Sequence, residues 1–469
     1  MRLTPFFILL LGTLNPISAK DSSTINLGMV LNQVKTFHPT VRQAALYPKQ
    51  GESYLRYARG GFDPKLFFEQ REKTFKTEQY YNETSAGVSI PTWYGLDIKA
   101  GYENNSGIYL SPDLKTPSNG LSYAGVDIPL LRNMVTDVRR TGVRQAQLFK
   151  EQSESMRIQV LNELAKQIIQ DYAAWYFAWQ ERAICLQAVG LLTERMAAIR
   201  SEFIAGGRSA ADTIETSAQL GNFSILLRDA TVKELKSRLM LSAHLWNENE
   251  QPVSIKVGVI PAFSGLDFLD SMLSAFPDTL VSGSIASLQP DLQIMDLYVQ
   301  KNLLDMRLKR QAMLPEIRIK YRALSPGYFE YPSGSSIPMN STFGINFNSS
   351  LFLRKERGEF ELSKLAWQES ALKFKQKTRE TAVKVGGLYN EALTYASLSR
   401  DFAIISNQYN QLYENEKTRF SAGDATVFMV NMRETRWIET RLKLIEYQRK
   451  QMLSATDYLE MAGVIGRIF

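Results

Sequence analysis

The sequence predicts an α+β chain in which a long α-helical hairpin, preceded by short β-strands, occurs twice. Three observations carry that reading. All 17 prolines of the 469 residues lie outside two windows, 130–251 and 339–469. Each window is interrupted once by a glycine break, at Ala205-Gly206-Gly207-Arg208-Ser209 and at Ser421-Ala422-Gly423-Asp424. Ahead of each window stand short segments in which apolar and polar residues alternate. A proline inside a helix removes a donor and clashes with the preceding turn, at a cost of about 3 kcal/mol. Windows this long without one are what long helices require. Glycine at each break supplies a left-handed C-cap, and Ser209 and Asp424 are the expected N-caps of the returning helices.

Composition narrows the class. Hydrophobic residues make up 44% and charged residues 22%, which excludes a disordered chain and a helical membrane bundle. The net charge is +7, with no block of like charge that would form a nucleic-acid patch. Cys185 is the one cysteine, so no intrachain disulfide exists, and a small packed side chain is expected there. His38 and His244 are not spaced as a metal pair, and His38 stands before Pro39 at a helix start. No metal site and no cofactor are expected.

The N-terminus reads as a secretory signal peptide over 1–19: Met1-Arg2, an apolar stretch over 6–14, and Ile17-Ser18-Ala19 before the cleavage point. No later apolar run reaches the roughly 18–20 residues of a transmembrane helix. If the exported chain enters a membrane, it does so as a closed β-barrel.

In order along the mature chain, a helix is expected from Pro39 to Arg59, ending at Gly60-Gly61. Strands follow over 66–75, 87–92, 96–103 and 123–131. The clearest alternates Leu96, Ile98, Ala100 and Tyr102 with Asp97, Lys99, Gly101 and Glu103. The first hairpin covers about 136–247. Its outgoing helix carries Tyr172, Trp175, Tyr176 and Trp179 at i, i+3, i+4 and i+7, a packing stripe. Residues 250–289 contain Pro252, Pro261 and Pro277 and are expected to be irregular.

The order then repeats. Gln289-Pro290-Asp291-Leu292 stands where His38-Pro39-Thr40-Val41 stood, and Pro290 to Pro315 spans the same 25 residues as Pro39 to Pro64. Ile317, Ile319, Tyr321 and Ala323 alternate with Arg318, Lys320 and Arg322; Phe343, Ile345 and Phe347 follow within a strand region over about 315–353. The second hairpin covers about 356–463. The chain thus divides into a first repeat, 20–249, a linker, 250–289, and a second repeat, 290–469. Outgoing helices of roughly 65–70 residues extend about 100 Å at 1.5 Å per residue, and returning helices of about 40 are completed by the helix that opens each repeat. Helices of that length bury their stripes as coiled coils. Four columns and about six strands are too few to close a tunnel or a barrel alone, so oligomerisation is expected.

With these elements in place the chain resembles the TolC family of bacterial outer-membrane efflux proteins over essentially the whole mature length. The resemblance rests on the duplicated order, on Leu314-Pro315 before an alternating strand, and on two turns, Phe203-Ile204-Ala205-Gly206-Gly207-Arg208-Ser209-Ala210-Ala211-Asp212 and Arg419-Phe420-Ser421-Ala422-Gly423-Asp424-Ala425-Thr426. It implies an α+β membrane protein: long coiled-coil α-helical hairpins plus β-strands contributing to a shared transmembrane β-barrel in a homotrimer. It further implies an outer-membrane channel-tunnel of a tripartite efflux or type I secretion system in a Gram-negative bacterium, with a large periplasmic part. The implied partners are the lipid bilayer, a periplasmic adaptor and an inner-membrane transporter, with no nucleic acid and no catalysis. Gly206, Gly207, Arg208, Ser209, Gly423, Asp424, Ala425 and Thr426 would form the adaptor-docking tips. Asp212 would lie near the closed entrance. Two aspartates found after the second turn in members of the family are Met429 and Met432 here, which implies a more apolar constriction.

The first repeat also departs from the family. Pro64 to Pro129 spans 65 residues where Pro315 to Leu351 spans 36, and the excess holds an additional pair of alternating segments around Ile90-Pro91-Thr92-Trp93-Tyr94-Gly95. Two readings stand: six strands per chain and 18 in a trimer in place of four and 12, or an extracellular hairpin. The competing functional class is a periplasmic coiled-coil adaptor or scaffold, which needs one helical hairpin, not two. A secreted enzyme lacks support, because no phosphate loop, zinc spacing or nucleophile motif occurs. The exported cargo, the pump and the adaptor leave no mark in the sequence.

Overall fold

In the computed structural model the described residues are 24–262, 273–275, 277–327 and 340–468. The expected signal peptide, part of the linker and most of the loop over 326–340 lie outside them. The elements in order are α1 (Leu27–Phe37), α2 (Pro39–Ala44), α3 (Leu46–Arg59), β1 (Lys65–Phe75), β2 (Glu78–Pro91), β3 (Asp97–Ser106), β4 (Leu121–Pro129), α4 (Val138–Ile204), α5 (Ala210–Ser242), α6 (Asp278–Leu288), α7 (Pro290–Ala312), β5 (Glu316–Pro326), β6 (Ser341–Asn348), α8 (Arg354–Ser421) and α9 (Val427–Met461). The outgoing helices α4 and α8 run 67 and 68 residues. The returning helices α5 and α9 run 33 and 35, shorter than the expected 40. No helix among the described residues is long and apolar enough to cross a membrane.

Four elements differ from the sequence expectation. Residues 27–37 form a helix of their own, separated from α2 by His38, which the following proline holds extended (φ −68°, ψ 131°). The helix expected from Pro39 to Arg59 is two, α2 and α3, joined at Ala45. The strand expected over 87–92 begins nine residues earlier, at Glu78. Residues 278–288, expected to be irregular, are α6. The two repeats thus share one more feature: helix, cap, proline, helix. His38 Nδ1 accepts the Thr40 amide at 3.1 Å, and Gln289 Oε1 accepts the Asp291 amide at 3.0 Å.

Contacts divide the chain into two compact units, with α4, α8 and α9 contributing to both. One unit comprises residues 38–167, 270–397 and 450–469. It holds one six-stranded antiparallel sheet in the order β1-β2-β3-β4-β5-β6, a meander interrupted between β4 and β5 by the helical elements. Residues paired across antiparallel strands share a face, so the register assigns the two faces. Leu66, Phe68, Val88, Ile90, Ile98, Ala100, Val126, Ile128, Ile317, Ile319, Ile345 and Phe347 fall on one.

The other face is polar and crossed by ion pairs. Arg71 meets Glu83 at 2.9 Å, Arg318 meets Asp127 at 2.9 Å, and Arg322 meets Glu103 at 3.5 Å. Glycines on this face sit opposite large side chains: Gly87 faces Phe67 and Gly101 faces Tyr123. A Cβ at Gly101 would come within 2.8 Å of the Tyr123 ring, so the glycine makes room for the ring to lie across the strand.

The helices of this unit approach closely. A Cβ on Gly51 of α3 would lie 2.5 Å from Ser153 Oγ and 2.9 Å from Lys150 Cα of α4. At the end of α9, Lys166 reaches Asp457 (3.0 Å) and Glu460 (3.3 Å). Burial pushes the Glu460 carboxyl up, against the pull of Lys166.

The other unit comprises residues up to 37, 168–269 and 398–449. Its core contains the aromatic stripe of α4: Tyr172, Trp175 and Tyr176 are buried and Trp179 is half-buried. The Tyr172 hydroxyl donates to the Ala262 carbonyl at 2.5 Å and lies 3.1 Å from the Ile25 carbonyl. This anchors the short parallel pairing of Thr24–Ile25 with Ile260–Pro261. His244 pairs with Asp171 at 2.8 Å. Cys185 is buried, as its expected packing role requires, and burial raises its thiol pKa.

Candidate functional site

The candidate site residues cluster around the two hairpin turns, and the turns are built alike. Gly206 and Gly423 have φ of +79° and +83°. Each donates its amide three residues back, to Phe203 and Phe420 (3.0 and 3.1 Å). The next residues, Gly207 and Asp424, donate five residues back, to Glu202 and Arg419 (2.9 Å each). This pair of bonds is the Schellman closure, which needs a left-handed residue at the first glycine. A Cβ at Gly206 or Gly423 would meet nothing within 4 Å, so the requirement is conformational and not steric.

The equivalence corrects one expectation. Asp424 is not the N-cap of α9. Its amide closes the preceding helix, one further residue, Ala425, makes the turn, and Thr426 takes the cap: its Oγ1 accepts the Met429 amide at 3.3 Å. In the first turn the same count leads from Gly207 to Ser209, whose Oγ accepts the Asp212 amide at 3.2 Å. Position by position, Gly206 matches Gly423, Gly207 matches Asp424, Arg208 matches Ala425, Ser209 matches Thr426, and Asp212 matches Met429. The Asp212 carboxylate completes a capping box by accepting from the Ser209 amide (3.3 Å) and hydroxyl (2.9 Å). Met429 has no such group, so the acidic partner is present in one copy and absent from the other.

The structure brings the two turns together through Arg208. Its guanidinium pairs with Glu202 at 2.6 Å and lies 4.9 Å from the centre of the Phe420 ring, a cation–π contact between the hairpins. Apolar side chains are exposed near both turns, including Ile204, Ile214 and Phe428. Met432 is 37% exposed and lines a groove of about 600 Å³ between α5 and α9, with Phe223, Leu226, Phe428 and Ile438. Gln219 spans the same helices, donating to the Asn431 carbonyl (3.2 Å) and to Thr435 (2.7 Å).

Further along the helices lies a buried polar network that sequence reasoning missed. Arg195 of α4 makes a close ion pair with Glu434 of α9, whose side chain is fully buried, and donates to Asn431 at 2.8 Å. Tyr413 of α8 lies 3.4 Å from the guanidinium, and its ring stacks on Trp437. Three helices are thereby tied at one level. Burial pushes the Glu434 carboxyl above the ordinary glutamate range in spite of Arg195, and burial together with Glu434 pushes the Tyr413 phenol up to about 12. Among the described residues no group of His, Cys, Asp and Glu could hold a metal ion.

No family profile matches the chain, and no curated protein matches it. Solved structures do. The CmeC outer-membrane channel of Campylobacter jejuni superposes with a TM-score of 0.63 at 12% identity, over 98% of this chain and 94% of that one. The open state of the Neisseria gonorrhoeae MtrE outer-membrane channel gives 0.62 at 12% identity, over 96% and 93%. The Vibrio cholerae outer-membrane protein VceC gives 0.61 at 11% identity, over 93% and 96%. The chain therefore has the fold expected from its resemblance to the TolC family, over 93–98% of its length.

Proposed function

We propose that a chain with the fold of these outer-membrane channels works as one: the passive channel-tunnel of a tripartite efflux or type I secretion system, seated in the outer membrane of a Gram-negative bacterium. One observation carries this reading above all. Among the described residues the six-stranded sheet presents a continuous apolar face and ends in two unpaired edges. An open edge and an apolar face are both untenable for an isolated chain in water. Both are satisfied when copies close a barrel in lipid, where every backbone donor must be paired internally. The homotrimer supplies those copies.

In this reading the helices of three copies form the wall of the tunnel and no bond is made or broken. The turns at Gly206–Ser209 and Gly423–Thr426 dock a periplasmic adaptor, through which an inner-membrane transporter delivers cargo. The exposed apolar residues beside the turns support that role. Asp212, Met429 and Met432 line the constriction, which is mixed and not wholly acidic. A soluble adaptor or scaffold is disfavoured by the apolar sheet face, which such a protein would expose to water.

The test is conductance. Purified from outer membranes and inserted into planar bilayers, the protein is expected to give discrete current steps. Recovery in the soluble periplasmic fraction, without channel activity, would overturn the proposal in favour of the scaffold.

A further inference from the structure

We propose that all six strands of each chain enter the shared barrel, which closes with 18 strands when β6 of one copy pairs antiparallel with β1 of the next. This rests on the trimeric reading above and adds the size of the pore and the strands that meet across copies. The alternative is a 12-stranded barrel in which the extra pair of segments around Ile90–Gly95 is an extracellular hairpin; in this strand order the two strands left out of the ring would be β1 and β2.

Three observations separate these outcomes. First, the ladder is continuous. β2 pairs with β3 over ten residue pairs, from Asn82–Ser106 to Pro91–Asp97. A hairpin standing aside would leave those groups unpaired.

Second, β2 runs the full height of the sheet to the end where the helices attach. The β2–β3 connection is tight, closed by the Thr92 amide donating to the Leu96 carbonyl at 3.0 Å. It sits among residues at the ends of α3 and α4. Trp93 packs on Phe62, ring centres 5.2 Å apart, and Asp97 pairs with Arg139 at 3.0 Å. A Cβ on Gly95 would lie 3.1 Å from the Asn133 carbonyl. This connection is on the helical side, so β1, β2 and β3 each traverse the sheet. Strands of eight to 14 residues match the roughly 9–11 that a tilted transmembrane strand needs.

Third, the apolar face does not stop at the strands the family would use. Leu66 and Phe68 of β1 lie in register with Val88 and Ala86 of β2, which continue into Ala100 and Tyr102 of β3. A hairpin in water has no use for Leu66 and Phe68, which are 85% and 69% exposed. The device on the polar face also recurs in this pair: Phe67 lies over Gly87 as Tyr123 lies over Gly101.

The edges then define the interface. β1 and β6 are each paired on one side only, contain no proline, and run in opposite directions, because a six-strand meander ends antiparallel to its start. Joining them preserves the alternation around the ring and gives the even strand count of single-chain barrels. With strands about 4.8 Å apart and tilted about 40°, 18 strands close at a backbone radius of about 18 Å, against about 12 Å for 12 strands. Inward side chains occupy about 5 Å of either radius, so the open cross-section is about three times larger.

Cysteine cross-linking in native outer membranes tests this on the full chain in a Cys185→Ala background. One grid pairs positions 66, 68 and 70 of β1 with 343, 345 and 347 of β6; a second pairs 98, 100 and 102 of β3 with the same β6 positions. Ile319→Cys with Ile345→Cys, directly opposed within one chain, is the positive control for oxidation by copper phenanthroline. The proposal expects covalent dimers and trimers from the β1–β6 grid that collapse to monomer on reduction, and none from the β3–β6 grid. Cross-links from the β3–β6 grid overturn it in favour of 12 strands and leave the conduit standing. Native trimers with no cross-link on the β1–β6 grid overturn it as well. Absence of any trimer overturns the conduit reading along with it.

Discussion

Removing the Glu434 carboxylate leaves the Arg195 guanidinium facing α9 without its counter-ion. The Arg195 side chain is 14% exposed and that of Glu434 0%, so water replaces little of what is lost. Deleting one partner of a buried pair costs about 3–5 kcal/mol. Asn431 still accepts from Arg195, which favours the lower end, about 3 kcal/mol, or about 100-fold in a local opening equilibrium. Hydrogen–deuterium exchange on the purified particle reads this in amides of α9 around Glu434. Glu434→Ala is expected to lower their protection about 100-fold. The double variant Arg195→Met/Glu434→Met, which removes both charges at similar volume, should recover most of it.

The sign of the pH response follows from burial. The folded carboxyl titrates above an ordinary glutamate. Between the ordinary and the raised pKa the folded state holds a proton that the opened state releases, so protection falls as pH rises through that window and is flat above it. Glu434→Gln removes the dependence, after correction for intrinsic exchange. A change below about threefold for Glu434→Ala, against the 100-fold expected, would refute the reasoning.

The remaining predictions follow the same packing logic. Gly51→Ala is expected to destabilise by about 1–3 kcal/mol, because its Cβ would meet Lys150 Cα at 2.9 Å. Gly142→Ala, with open space around it, should stabilise by up to about 1 kcal/mol; thermal unfolding in detergent compares the two. Ser209→Ala removes the cap and the hydroxyl bond to the Asp212 carboxylate, which keeps only the residue-209 amide, at about 1 kcal/mol, read as faster exchange in the first turn of α5 and no change at α9. In bilayers, divalent cations are expected to block the wild-type current weakly, and Met429→Asp/Met432→Asp to introduce strong block; strong block of the wild type would contradict a mixed constriction.

What could be read from the sequence followed local rules. The long helices were visible because no proline interrupts either window over more than 100 residues, and the turns because a left-handed residue favours glycine, as Gly206 and Gly423 demonstrate. Strands β5 and β6 were visible because one face is apolar at period two. The start of β2 was hidden because the β1–β2 turn uses Lys76 and Thr77 at φ of +52° and +64°, where glycine or asparagine is the usual signal. Tight pairing on both sides holds those residues in that conformation. Thr426 was missed as a cap because Asp424 stands nearer the glycine, and only the bond to Arg419 reveals that its amide belongs to the preceding helix. The network of Arg195, Tyr413 and Glu434 had no local signature: its members lie on three helices and meet only through tertiary packing.

The central claim, that three copies complete one membrane-spanning conduit, is tested most directly by the native mass of the particle extracted from outer membranes in mild detergent. The account predicts a mass of three mature chains after subtraction of detergent, with no monomer at the lowest workable concentration. A monomer recovered from the soluble periplasm, stable without detergent, would contradict it, because the apolar sheet face and the two open edges would then have to be accommodated by water.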